Sequence, residues 1–209
     1  LRRGVTGDVT GMPHLAWSTD FKVLAEGARR IGYNKLVSGP MAINSVERDG
    51  RAACQQIGFC MQGCKIGAKW STLYSELPRA VDSGNCEIRT NCMVLKIEHD
   101  DTGKVTAVVY ADKDGKQQRQ KAKVVCVAGN SIESPRLLLN SASSKYPDGL
   151  ANSSGQVGKN YMTHMTGGVY AIMPGKVHQN RGTQVAGIVR DEAHNDTKRG
   201  FAGGYTLEK

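Results

Sequence analysis

The sequence has no run of about 18 apolar residues, the length a membrane-crossing helix needs. It has no G-x-G-x-x-G, so a complete dinucleotide-binding fold is not encoded. GGVYAIMPGK lacks the spacing and the following Ser or Thr of a phosphate-binding P-loop. The basic stretch DKDGKQQRQKAK contains no aromatic on which a base could stack. The other basic residues are scattered, as in Arg29-Arg30 and Lys198-Arg199, so the net charge of +9 reads as solvated surface. No nucleic-acid partner is expected. The chain opens on Leu1 without a signal peptide, and is expected to be a piece of something longer. Six cysteines in 209 residues are too few for a disulfide scaffold.

What is present is enough for one or two hydrophobic cores: 209 residues, 39% of them hydrophobic. The 25 glycines exceed the roughly 7% average, as expected where backbone turns tightly or lies close to a ligand. WSTDFKVLAEGARRIG predicts a helix capped by Ser18 or Thr19, burying Phe21, Leu24, Ala25 and Ala28 and stopping at Gly32. NKLVSGPMAINSV reads as loop with one short strand. KWSTLYSELPRAVDSG predicts a second helix from Ser71 or Thr72, with Leu73, Leu77, Ala80 and Val81 as a buried stripe.

Strand-like runs follow. NCMVLKIEHD and KVTAVVYAD, joined by DDTG, predict an antiparallel meander, and KDGK makes the next turn. KAKVVCVAG ends in a continuous apolar run of the kind buried on both faces of a parallel sheet. It leads into NSIESPRLLLNSAS, which has two possible helix starts. Either Asn130 caps with Glu133 reaching back, or Ser134 caps with Pro135 at the first helical position. The second is preferred, because the first leaves a proline beyond the opening turn. A glycine bend at a helix N-terminus favours an anion or a polar cofactor edge. Beyond residue 142 the sequence is polar and glycine-rich, with YMTHMTGGVYAIM as a further candidate strand.

GCKIGAKWSTLYSELPRA, NCMVLKI, VVCVAGNSIESPRLLLNSAS and GQVGKNYMTH occur in an order that resembles the glucose–methanol–choline (GMC) oxidoreductases, and within them the gluconate and sugar dehydrogenase branch. The resemblance runs from about Gly50 to His164. It implies an α/β fold with α+β elements: part of an FAD-binding Rossmann-like domain with an antiparallel meander, interwoven with part of a substrate-binding domain. The divisions it suggests are 1–66 for a cap region with the cysteines, 67–142 for the FAD domain and 143–209 for the start of the substrate domain. It places Val94 at the adenine ring, and Ala128, Gly129, Asn130 and Ser134 near the flavin or its diphosphate.

The implied activity is oxidation of a CH–OH group in a sugar, sugar acid or other alcohol by hydride transfer to flavin. The family's glycine fingerprint and C-terminal histidine pair have no counterpart here, so no catalytic residue is expected in this chain and the chain alone is expected to be inactive. The alternative is a non-catalytic cysteine-rich metal-binding or electron-relay module. The resemblance implies a periplasmic or membrane-associated setting, with the cytoplasm as alternative.

Cys54, Cys60 and Cys64 resemble the set that holds a three-iron (3Fe-4S) cluster in some sugar dehydrogenases of this family. Thiolates are the usual ligands of such clusters. Gly58, Gly63 and Gly67 let the backbone curl, and Lys65 and Lys69 offset negative charge. A cytochrome or a small subunit would then take electrons. Buried structural thiols, or zinc completed by a histidine, are the competing readings. Cys86, Cys92 and Cys126 read as small buried hydrophobes.

Overall fold

The computed structural model describes residues 11–209, which pack as two compact units. One comprises 11–86 with 170–209, the other 87–169.

The first unit is built on helix α1, Thr19–Arg30. Ser18 caps it, its hydroxyl accepting from the Phe21 amide at 3.5 Å. Phe21, Ala25 and Ala28 recur on one face and are buried against Ala186 and Val189. Trp17 closes over Phe21 edge-to-face at 4.9 Å. Ala186 and Val189 come from a small antiparallel sheet in which β5, Gly187–Val189, lies between β1, Leu36–Ser38, and β6, Leu207–Glu208. Gly187 is required there: a Cβ at that position would sit 1.9 Å from the Phe21 ring.

The expected second helix is shorter than its pattern. Turns occupy 72–75 and only α2, Glu76–Asp82, is helical, with none of its residues buried. Leu73 is 61% exposed and Val81 45%, while Leu77 and Ala80 are half-buried, so the predicted stripe is not buried as a whole. Pro78 falls in the first turn of α2, where its missing amide hydrogen removes no helical bond.

The second unit carries the meander β2 (Met93–His99), β3 (Val105–Ala111) and β4 (Gln117–Lys121), all antiparallel neighbours. Its turns share one chemistry. Asp100 and Asp112 accept backbone amides from two and four residues ahead, and Gly103 and Gly115 supply the positive φ three residues on. The Thr102 hydroxyl on Asp100 and the Gln118 side-chain amide on Asp112, helped by these backbone amides, hold both carboxyls below the usual range.

The third strand is therefore the polar QQRQK. The apolar run expected as a doubly buried strand, 124–128, forms no strand, and Val124 is 77% exposed. An apolar run becomes a ladder only where a neighbouring strand supplies the bonds, and none does so among the described residues. YMTHMTGGVYAIM likewise forms no strand, and Met165 and Ile172 are fully exposed.

Helix α3, Asn130–Asn140, packs on β2. Two hydroxyls fasten them. Ser141, fully buried, accepts from the Ile97 amide at 2.9 Å and donates to the Leu137 carbonyl at 2.6 Å. Two residues further along both elements, Ser143 and the His99 ring lie 2.8 Å apart. Replacing Ser141 by Ala leaves the Ile97 amide buried without a partner, and is expected to destabilise the second unit by about 1–3 kcal/mol in denaturant titration.

Candidate functional site

The second unit contains a cavity of about 600 Å³, walled by β2 and β3 on one side and by 124–129 and α3 on the other. Val94, Ala128 and Gly129 line it together, with apolar neighbours Met93, Leu95, Val108 and Leu137. Its volume lies within the range of small-molecule and cofactor sites. Val125 and Val127 also border a second hollow of about 630 Å³ that includes Ile97, Leu138 and Tyr146. The unpaired apolar segment is thus a partition with open space on both sides.

Asn130 and Ser134 lie outside the cavity lining and shape the bend instead. Asn130 has φ 67°, and its Oδ1 accepts from the amides of Ile132 at 2.8 Å and Glu133 at 3.1 Å. An asparagine tolerates this left-handed backbone better than most residues. The Ser134 hydroxyl accepts from the Gly129 amide at 2.9 Å. The helix therefore starts at Asn130, not at the preferred Ser134, and Pro135 sits inside it. The amides of Gly129, Ile132 and Glu133, expected to face an anion, are bound by the chain's own side chains. Glu133 and Arg136 on the cavity rim form an ion pair at 2.9 Å. What the cavity presents is a mostly apolar slot.

In the first unit, Cys54, Cys60 and Cys64 are free thiols lining one small cavity of about 20 Å³. Each sulfur accepts a backbone amide: Cys54 from Gln56 and Cys64 from Lys69, both at 3.3 Å, and Cys60 from Gln184 at 3.4 Å. Burial pushes the Cys54 thiol up from its ordinary pKa, the Gln56 amide opposes the shift, and the neighbouring Cys60 and Cys64 add to it. No histidine lines this cavity. Among the described residues, no group of three or more His, Cys, Asp or Glu side chains is arranged to hold a metal ion. The first finding goes against the zinc reading, and the second bears equally on any metal held by the three thiols as placed. Cys86 and Cys126 are exposed, contrary to the expectation of buried hydrophobes, because the segments carrying them are not packed strands.

The thiol loop is held by residues that the local pattern does not single out. Buried Asn44 accepts the Cys54 amide on its carbonyl, and its side-chain amide donates to the Arg48 and Arg51 carbonyls. Arg51 reaches back to Asn44 and to the Gly67 carbonyl. From far along the chain, Gly182 exchanges backbone bonds with Gln56 at 2.7 Å and Gly58 at 3.2 Å. Gly58 permits this approach, since a Cβ there would meet the Asn180 carbonyl oxygen at 2.5 Å. Nothing in the spacing of the cysteines points 120 residues downstream.

Residues 13–166 match the family model described as GMC oxidoreductase. The chain is 38% identical over 125 residues to the fructose dehydrogenase large subunit of Gluconobacter japonicus, covering 60% of this chain and 23% of that protein. It is 34% identical over 170 residues to 2-methyl-1,2-propanediol dehydrogenase of Mycolicibacterium austroafricanum, covering 80% and 30%. It is 36% identical over 140 residues to 6'''-hydroxyparomomycin C oxidase of Streptomyces lividus, covering 66% and 26%. The chain thus spans less than a third of the length of these relatives.

Because the fold favours the neutral Cys54 thiol, the stability it contributes is full below the ordinary thiol pKa and is lost as pH rises through the raised one. Alkylation of Cys54 by iodoacetamide, followed by mass spectrometry across pH, should rise only above the ordinary thiol range of about 8.5 and lag behind exposed Cys86.

Proposed function

The chain belongs to the GMC oxidoreductase family, and on that footing we propose that it carries part of the FAD-binding domain of an enzyme oxidising a CH–OH group. The observation that carries the reading is the 600 Å³ cavity on which Val94, Ala128 and Gly129 converge. FAD, when bound, supplies the hydride-accepting ring.

The chain's own part is to hold and shield. Apolar side chains of β2, β3 and 124–127 offer a water-excluding slot for a flat ring, and the ring edge would meet the backbone near Val94 and Ala128. Asn130 and Ser134 keep the bend in shape and leave Gly129 without a side chain at the cavity mouth. Three helix-start amides are already bound, so the apolar ring of the cofactor suits this slot better than its diphosphate does. The divisions at 66/67 and 142/143 belong to the same proposal, as do a sugar or alcohol substrate and a cytochrome or small subunit as electron acceptor. The names of the fructose and propanediol dehydrogenases support the substrate class.

A 3Fe-4S cluster on Cys54, Cys60 and Cys64 is the finer part of the proposal. What supports it is that the three thiols border one cavity and each sulfur accepts a backbone amide, as cluster sulfurs do, although as placed they form no metal-holding group. The cavity has room for about one water, so the residues as they stand do not fit a cluster. The electron-relay alternative shares this site and lacks the flavin.

Titrating FAD into the protein while following flavin fluorescence tests the cavity. Val94→Trp, at a 40%-exposed strand position, fills the slot without entering a core, and should weaken FAD at least ten-fold while the denaturation midpoint holds. Unchanged affinity would remove Val94 from the site. Paired flavin bands together with a broad brown absorption support both cofactors, and the brown shoulder alone favours the relay.

A further inference from the structure

We infer that Cys60 and Cys64 form a peroxide-reactive thiol pair that closes to a disulfide and leaves Cys54 free. The three thiols border a space for about one water and, as placed, form no metal-holding group. Neighbouring thiols without a metal have another chemistry open to them, oxidation to a disulfide. The inference needs neither the flavin nor a cluster.

Access selects the thiol that reacts first. Cys60 borders the small cavity and also a larger hollow of about 280 Å³, shared with Asp20, Arg181, Gln184 and Lys209. Cys54 and Cys64 line the small cavity but not this hollow. The Lys209 ammonium and the Asp20 carboxylate pair at 3.1 Å on its wall, so a small polar oxidant enters a polar space. A hydroperoxide is of that kind, and Cys60 is the thiol it meets.

The backbone selects the second thiol. Met61, Gln62 and Gly63, which separate Cys60 from Cys64, are all exposed. Gly63 has φ 95° and open space where a Cβ would stand. This span bends without breaking into a packed region. The span from Cys54 to Cys60 is pinned instead: Gly182 exchanges backbone bonds with Gln56 and Gly58, and Gly58 lies tight against the Asn180 carbonyl. Lys69 adds to the bias, since its amide donates to the Cys64 sulfur at 3.3 Å and its Nζ to the Cys60 carbonyl at 2.9 Å. One residue thus ties both members of the pair.

The chemistry balances in two steps. The Cys60 sulfur attacks a peroxide oxygen; an S–O bond forms, the O–O bond breaks, and the departing oxygen takes the Cys60 proton as water or an alcohol. The Cys64 sulfur then attacks the Cys60 sulfur; an S–S bond forms, the S–O bond breaks, and hydroxide leaves with the Cys64 proton as water. Two thiols give up two electrons and two protons, and one hydroperoxide is reduced.

The test exposes the protein to hydrogen peroxide with a chelator present, so that no metal competes, and then blocks the remaining thiols with iodoacetamide. Trypsin leaves all three cysteines on one peptide, residues 52–65, and fragment-ion mass spectrometry locates the label. The expected peptide carries the label on Cys54 alone, with Cys60 and Cys64 joined, and takes label at all three after reduction by dithiothreitol. It should form about ten-fold faster than exposed Cys86 loses its own label. Cys64→Ser should trap a dimedone-reactive sulfenic acid on Cys60, Cys60→Ser should abolish both disulfide and adduct, and Cys54→Ser should change neither. A bond to Cys54, three labelled thiols after peroxide, or oxidation no faster than at Cys86 overturns the pair. Each of those outcomes leaves the flavin reading standing, because the FAD titration tests it separately.

Discussion

The second unit depends on one hydroxyl. Ser141 is the point where β2 and α3 are locked together, through an amide on one side and a carbonyl on the other. Inside a protein such a group is stabilising only when both of its bonds are made, and here both are. The walls of the apolar slot belong to those same two elements, with Val94 near the start of β2 and Gly129 at the foot of α3. The distance between them is therefore set at the far end of the helix, about three turns from the bend. The Ser143–His99 contact repeats the arrangement one step along and keeps the helix from swivelling about a single pin.

The first unit solves a different problem. A loop with three free thiols and several glycines has little intrinsic reason to hold one shape, because glycine backbone gives up more freedom on ordering than any other. The chain compensates from outside the loop. Asn44 and Arg51 fix its entrance, Ala68 is buried at its exit, and the segment around Gly182 lies across its middle as a short parallel bridge. Sulfur positions are thus determined by backbone amides of three separate segments rather than by the side chains' own packing.

Much of this was legible where periodicity and local chemistry coincide. Helix α1, with Phe21, Ala25 and Ala28 inward, follows directly from its pattern, which left the cap open between Ser18 and Thr19, and so do β2, β3 and the aspartate–glycine turns. The convergence of Val94, Ala128 and Gly129 on one cavity came from family resemblance, since alternation alone cannot say which strand faces a ligand. What misled was apolar content taken without partners. VVCVA looks more like a strand than QQRQK does, yet QQRQK makes the ladder because KDGK folds it back onto β3. Leu73 and Val81 have helical spacing and no surface to bury against. At α3 the propensity argument about Pro135 lost to Asn130, whose side chain satisfies two amides at once. Gln184 was out of reach of any local pattern.

The stretches that form no strand carry a practical consequence. Residues 124–128 and 161–173 offer free backbone donors and acceptors next to valine, methionine and tyrosine side chains, the combination that templates pairing between copies. Lys121 and Lys123 precede the first stretch, and Lys159 and Lys176 flank the second, as charges that repel like neighbours there but leave the middles open. Purified on its own, the polypeptide will self-associate as its concentration rises, and salt, by screening those lysines, will hasten it.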